Sequence, residues 1–218
     1  MIAMDGPAGA GKSTVARRVA EALGLQFLDT GAMYRAVTLE VLARGVPPTD
    51  AAGCSAVAHS LELDFDEAGK LRIDGRPGEP DIRGREVTRH VSTVSAHPAV
   101  REAIVARQRV LGRSEPGVVA EGRDTTTVVF ADADHKFFLN ASPEERARRR
   151  ALQEGTPERV DEILADIQRR DRTDTDREHS PLMQAEDAVR IDADDLTADQ
   201  VVARILELVQ GFEERSTA

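Results

Sequence analysis

Cysteine is almost missing from this chain. Cys54 is the single thiol in 218 residues, which excludes a disulfide framework and any zinc site built on cysteines. Long apolar runs are missing too. None approaches the roughly 18 residues that a membrane helix needs, so no membrane partner is expected. The first strand begins at Ile2, which leaves no room for a leader peptide, and a cytoplasmic location is expected. The sequon Asn140-Ala141-Ser142 is then idle. Asn140 is also the only asparagine, and alanine follows it, so the Asn-Lys-x-Asp element of guanine-specific GTPases is absent. His59, His90, His97, His135 and His179 show no metal-ligand spacing. Lysine is scarce: Lys12, Lys70 and Lys136 are the only ones among 29 basic residues, and the other 26 are arginines. The net charge of −10 disfavours non-specific binding to nucleic acid or anionic membranes. With 40% apolar and 31% charged residues, the composition is that of a globular domain carrying at most a small insertion.

Ile2-Ala3-Met4-Asp5 reads as a short buried strand that runs into a glycine-rich stretch and then a helix. That helix carries Val15, Val19, Ala22 and Leu23 on one face and stops at Gly24. A second strand spans 26–28, and a helix follows over 32–44. Thr49 or Asp50 is placed to cap a further helix to about residue 60. Between 61 and 80 the pattern changes. Leu61, Leu63 and Phe65 alternate with charged residues, as do Leu71 and Ile73, and Ala68-Gly69 lies between them. This predicts a small antiparallel hairpin with one solvated face. Helix returns over 86–112, broken near Pro98. Strands follow at 117–120, 136–139 and 189–191. Ser142-Pro143-Glu144-Glu145 is a capping-box signal with proline at the first helical position, and Thr197 caps a last amphipathic helix. Strands alternating with helices predict an α/β fold with a five-stranded parallel sheet flanked by helices.

Gly6-Pro7-Ala8-Gly9-Ala10-Gly11-Lys12-Ser13 matches G-x-x-x-x-G-K-[ST] at every position. A chance match in a chain of this length is on the order of one in a hundred. The strand before it and the helix after it supply the setting that the motif requires. Glycines let successive N–H groups turn into one concavity, and the helix adds its positive end. Lys12 then neutralises the β- and γ-phosphates of a nucleoside triphosphate, and the Ser13 hydroxyl ligates Mg²⁺. Residues 6–13 with Thr14 are the candidate contacts of that triphosphate. The loop does not name the second substrate.

Arginines that point inward carry that information. Val160, Ile163, Leu164 and Ile167 form an apolar stripe at helical spacing, and the same spacing continues to Arg170, Asp174 and Arg177. Either the stripe runs into a cleft, or the helix ends there and its charges are solvated. A phosphate loop elsewhere in the chain favours anion binding. Arg35 lies one helical turn beyond the second strand. Arg123 and Asp124 lie just past the carboxyl end of the third, the edge where ligands of open parallel sheets bind. Arg146, Arg148, Arg149 and Arg150 cannot all share one helix face, but one or two can reach a triphosphate from a lid.

Together, the loop at 6–13, Asp29-Thr30-Gly31-Ala32-Met33-Tyr34-Arg35, Glu121-Gly122-Arg123-Asp124 and Arg170-Asp171-x-x-Asp174-x-x-Arg177 resemble the bacterial cytidylate kinases along essentially the whole chain. The hairpin at 61–80 is similar to the insertion that sets this family apart from adenylate kinases. The resemblance implies a P-loop nucleoside monophosphate kinase fold over 1–218. Its core would be 1–50, 96–149 and 178–218, with an NMP-binding region at about 50–95 and a lid at about 150–177. It implies Mg²⁺-dependent transfer of the ATP γ-phosphoryl to CMP or dCMP by a monomer, within pyrimidine nucleotide metabolism. Lys12, Arg123 and Arg170 would be catalytic, and Arg146 and Arg150 would reach ATP from the lid. Arg35, Arg123 and Arg170 would hold the CMP phosphate, and Asp174 the sugar hydroxyls. Ser92, Arg101 and Asp124 would read the base, with Arg177 nearby and Thr30 and Tyr34 in the same pocket. Thr30 stands where relatives often have serine.

The base assignment also follows from hydrogen bonding. A carboxylate such as Asp124 accepts from the cytosine amino group, while Arg101 donates to the ring acceptors. Uracil reverses both patterns, and each mismatched group costs roughly 1–3 kcal/mol. UMP is therefore expected to be a much poorer acceptor. Water must be kept from ATP, so the insertion-bearing region and the lid are expected to close over the substrates.

Overall fold

In chain order the elements are β1 (Ile2–Asp5), α1 (Lys12–Leu23), β2 (Gln26–Asp29), α2 (Thr30–Ala43), α3 (Ala51–Ser60), β3 (Leu63–Phe65), β4 (Leu71–Ile73), β5 (Arg76–Pro77), α4 (Arg85–Ala96), α5 (Pro98–Leu111), β6 (Val118–Glu121), β7 (His135–Asn140), α6 (Pro143–Glu154), α7 (Val160–Thr175), β8 (Val189–Asp192) and α8 (Ala198–Ser216). Short 3₁₀ turns lie at Asp81–Arg83 and Pro157–Arg159, and a π turn at Thr125–Val129. This computed structural model describes residues 1–66 and 68–216. No helix among the described residues is long and apolar enough to cross a membrane.

The five-stranded sheet has the order β2-β6-β1-β7-β8. β1 runs parallel to both β6 and β7, and β7 runs parallel to β8. All four residues of β1 are buried, as a central strand covered on both faces requires. The chain divides into two compact units, Met1–Phe27 with Glu115–Ala218, and Leu28–Ser114.

In the first unit, Met4, Phe137, Leu139 and Ile191 of the sheet share a core with Val15 and Val19 of α1 and with Val201 and Ile205 of α8. Burying each of the larger side chains contributes about 1.5–3 kcal/mol. A smaller cluster joins Ala147 and Ala151 of α6 to Ile163 and Ile167 of α7, the stripe read from the sequence. Ser142 caps α6 by accepting from the Glu145 amide at 3.3 Å. The reciprocal half of the capping box is not made: the Glu145 carboxylate instead takes Arg148 and Arg149, each at 2.7 Å. Those bonds, Arg148 first, hold its acid down at about 2. At α8 the box is complete, with the Gln200 side chain accepting from the Thr197 amide and the Thr197 hydroxyl accepting from the Gln200 amide.

The second unit packs α2 to α5 around Met33, Val37, Val41, Val57, Ile82, Val94 and Ile104. The antiparallel sheet β3-β4-β5 adds Leu63, Leu71 and Ile73 to that core. Leu63 faces Ile73 and Phe65 faces Leu71 across the hairpin, so the alternation seen in the sequence sets its register. Asp50, of the two candidate caps, holds the start of α3 by accepting from the Gly53 amide at 3.1 Å. The break expected near Pro98 in the helical stretch 86–112 separates α4 from α5, because Pro98 opens α5 after His97 leaves helical geometry.

Candidate active site

The first unit builds a phosphate cradle. Between β1 and α1 the chain passes so close to β7 that a Cβ on Gly6 would lie 2.0 Å from the Leu139 carbonyl oxygen. Only glycine fits that approach. Gly9 and Gly11 take φ of 81° and 92°, and Gly11 at the cap of α1 has no side chain to bond to the first-turn amides. No acidic residue lies in that turn, so the positive end of α1 keeps its attraction for an anion. Gly9, Gly11, Ser13 and Thr14 line the exposed side of the loop.

Lys12 folds across this loop, its ammonium donating to the Pro7 carbonyl at 2.9 Å. The Ser13 hydroxyl donates to Glu121 Oε1 at 2.6 Å, and Glu121 Oε2 lies 4.0 Å from the Lys12 ammonium. Glu121, the last residue of β6, has a role here that the sequence reading did not assign. An acidic residue closing a buried apolar strand was the available signal.

A second cationic group lies in the same unit. Arg123, two residues beyond β6, donates from Nε to Asp174 Oδ2 at 3.1 Å. Burial opposes its charge, but Asp174, Glu121 and Asp171 outweigh burial and hold the guanidinium above its ordinary value. Arg170 behaves in the opposite way. Burial and the neighbouring Arg123 charge pull it down to about 10, and its enclosed Nε has no hydrogen-bond partner. Asp174 is 4% exposed. In the ionic continuation of the α7 stripe, Asp174 is thus buried and Arg170 and Arg177 are half-buried, so it does not end in a fully solvated helix terminus. Arg177 lies two residues past α7 and donates to the Ser180 carbonyl at 2.7 Å.

The α6 arginines divide as their crowding requires. Arg146 is 3% exposed and donates to the Ala8 carbonyl of the phosphate loop at 2.8 Å and to the Ala141 carbonyl at 2.9 Å. It also pairs with Asp171 at 2.6 Å. Arg146 therefore reaches the loop through the loop's own backbone. Arg150 bonds to Glu154 at 2.8 Å. Asp124 is buried, and its carbonyl accepts from the Val128 and Val129 amides of the π turn.

The second unit carries the other candidates. Asp29 ends β2 and caps α2 by accepting from the Ala32 amide at 2.8 Å, and its other oxygen pairs with Arg83 at 2.7 Å. Thr30 is buried, and its carbonyl accepts from the enclosed Gln108 side chain at 3.3 Å. Arg35 donates through Nη1 to the Ile82 carbonyl at 3.1 Å and the Thr88 hydroxyl at 2.9 Å, which aims it toward the start of α4. Arg101 is 4% exposed, sits 5.2 Å from the centre of the Tyr34 ring and donates to the Ser95 carbonyl at 3.2 Å. Ser95 in turn donates to the carbonyl of the buried Ser92 at 3.3 Å. Tyr34, Ser92 and Arg101 are therefore gathered around one end of α4, with Arg35 at the other. Arg83 and Gln108 went unremarked in the sequence, because an exposed arginine and a glutamine on a helix give no distinguishing pattern.

A family model described as cytidylate kinase matches residues 2–211. The chain is 45% identical over 222 residues to a cytidylate kinase of Corynebacterium glutamicum, covering 99% of this chain and 96% of the relative. It is 46% identical over 215 residues to one of Rhodococcus jostii, covering 96% and 94%. A bifunctional pantoate ligase/cytidylate kinase of a Synechococcus species is 46% identical over 224 residues, covering 99% of this chain. The chain spans 45% of that longer relative.

Proposed function

The chain belongs to the cytidylate kinase family, and from that premise we propose that it transfers the γ-phosphoryl group of ATP to CMP or dCMP, yielding CDP or dCDP and ADP. The observation that carries this reading is the half-buried Arg170, its Nε enclosed, beside Arg123 and in the same unit as a complete phosphate loop. Two guanidinium groups close enough for one to lower the other, beside the buried Asp174 carboxylate, make a site suited to a phosphate dianion.

The loop amides, the start of α1 and Lys12 bind the triphosphate. Ser13 Oγ and the Glu121 carboxylate form an all-oxygen pair 2.6 Å apart, a donor set that would suit Mg²⁺. When bound there, the ion would supply charge neutralisation to the triphosphate. The CMP phosphate is already ionised at neutral pH, so no protein nucleophile or general base is needed. Its oxygen attacks the γ-phosphorus as the bond to the β–γ bridging oxygen breaks. Arg123, Arg170 and Arg35 hold the acceptor phosphate and Asp174 the sugar. Asp124 accepts from the cytosine amino group, and Arg101 donates to the ring. Lys12 follows the charge as it moves to ADP.

The reading is tested by following ADP release with CMP, dCMP, UMP, AMP, GMP and shikimate as acceptors. CMP and dCMP are expected to exceed the others by at least about tenfold in kcat/KM, and Asp124→Ala to narrow the CMP/UMP gap. A preference for a different acceptor removes the reading. An unchanged CMP/UMP ratio in the variant removes the base assignment alone.

A further inference from the structure

Asp5 is the last residue of β1 and immediately precedes the phosphate loop. It is 0% exposed, yet four donors converge on its carboxylate. Oδ1 accepts from the Thr125 amide at 2.9 Å and the Thr125 hydroxyl at 2.7 Å. Oδ2 accepts from the Thr126 amide at 2.7 Å and the Thr126 hydroxyl at 2.6 Å. Burial pushes the Asp5 acid up, against the pull of these four bonds. A buried carboxylate is a costly choice where hydrogen bonding alone is wanted. The donors explain it. Asparagine offers a single acceptor oxygen, and its amide group would meet two of the four donors head-on. An acceptor-only group satisfies all four.

What this cluster holds is the start of the π turn at 125–129. Asp124 caps that turn, and Arg123 precedes it. The Gly122 amide also donates to the Met4 carbonyl at 3.0 Å, so both ends of the Gly122–Thr126 stretch are tied to the end of β1. On the other side of Asp5, Gly6 is pressed against the Leu139 carbonyl and has no room to shift. The carboxylate therefore fixes one short segment, the one bearing Arg123 and Asp124, relative to the phosphate loop within the same unit.

We propose that Asp5 is a positioning residue for acceptor choice: through Thr125 and Thr126 it sets where Arg123 and Asp124 stand, and it touches neither nucleotide. This rests on the kinase reading above. It differs from a purely structural role in what it moves. A core contact lowers stability and leaves the ratio of acceptors alone. A positioning contact alters KM for CMP and the CMP/UMP ratio while leaving KM for ATP in place, because the loop amides and Lys12 do not depend on the π turn.

The test compares wild-type protein with Thr126→Val, Thr126→Ser and Asp5→Asn, measuring KM for ATP, KM and kcat for CMP and UMP, and melting temperature. Thr126→Val keeps shape and amide and removes one hydroxyl donor. It is expected to raise KM for CMP roughly tenfold and to compress the CMP/UMP ratio, with KM for ATP changed less than about twofold. Thr126→Ser restores the wild-type values. Asp5→Asn shows the same pattern more strongly, and if it fails to fold the threonine pair still decides. Variants that lose melting temperature with an unchanged CMP/UMP ratio and CMP KM overturn the proposal. A wild-type protein that leaves CMP unphosphorylated overturns the kinase reading, and this proposal with it.

Discussion

Lys12→Met is expected to lower kcat for CMP phosphorylation by at least about 10³ while the protein stays folded. The ammonium is the only lysine head group at the phosphate loop, and it crosses that loop to the Pro7 carbonyl at 2.9 Å. In the proposed transfer step it would neutralise charge that grows on the bridging oxygen, a contribution that bound ground-state ATP would draw on less. The loop's shape comes from elsewhere, from Gly6 against Leu139, from Gly9 and Gly11 in left-handed geometry, and from Arg146 on the Ala8 carbonyl. Methionine keeps the aliphatic stem. The melting temperature is expected to move by a few degrees, in keeping with a change of about 1 kcal/mol in a chain of this size. Steady-state kinetics with a melting curve checks both halves. Retention of more than a tenth of the turnover contradicts the role given to Lys12.

Arg170→Met is expected to do two things that a structural arginine would not do together. Turnover with CMP falls by about 10²–10³, because on the proposed assignment the acceptor phosphate would lose one of its cations. The protein without nucleotide becomes more stable. Burial and Arg123 pull the Arg170 guanidinium down to about 10, which corresponds to unfavourable charge on the order of 1–3 kcal/mol in the folded chain. Because the folded value lies below the unfolded one, the unfolded chain holds its proton more tightly. The cost is complete at neutral pH and fades as pH rises through about 10. Methionine removes it, and the melting temperature at neutral pH is expected to rise by about 2–12 °C. CMP should raise the melting temperature of the wild-type protein and have little effect on the variant. A large fall in melting temperature would show that Arg170 braces the fold.

The parts of the site legible in the sequence are those where local chemistry is unambiguous. A glycine run between strand and helix, ending in Lys12-Ser13, has one structural use, and the loop forms as that pattern requires. The α7 stripe showed that Arg170 and Asp174 follow Ile163 and Ile167 around the helix. Spacing alone left open whether they were enclosed, since a solvated helix end also carries charges. The deciding partner, Arg123, comes from 51 positions earlier in the chain. The turn at 125–129 was not legible. Thr-Thr-Thr-Val-Val is β-branched throughout and reads locally as strand. It becomes a π turn because its first two amides and hydroxyls bond to Asp5, 120 and 121 residues away. β5 was missed for a simpler reason: Arg76–Pro77 is two residues long and sits among Gly75, Pro77 and Gly78, which signal a turn. The arginines of α6 could be divided only once Glu145, Glu154 and Asp171 were in place around them.

The central claim is that phosphate passes from one nucleotide to another in a site made of main-chain amides and guanidinium groups. Incubating the protein with Mg²⁺, CMP and ATP labelled in its γ-phosphate tests it most directly. Label is expected in CDP, dependent on CMP, with little released as orthophosphate. Label appearing only as orthophosphate, at a rate indifferent to CMP, would contradict it.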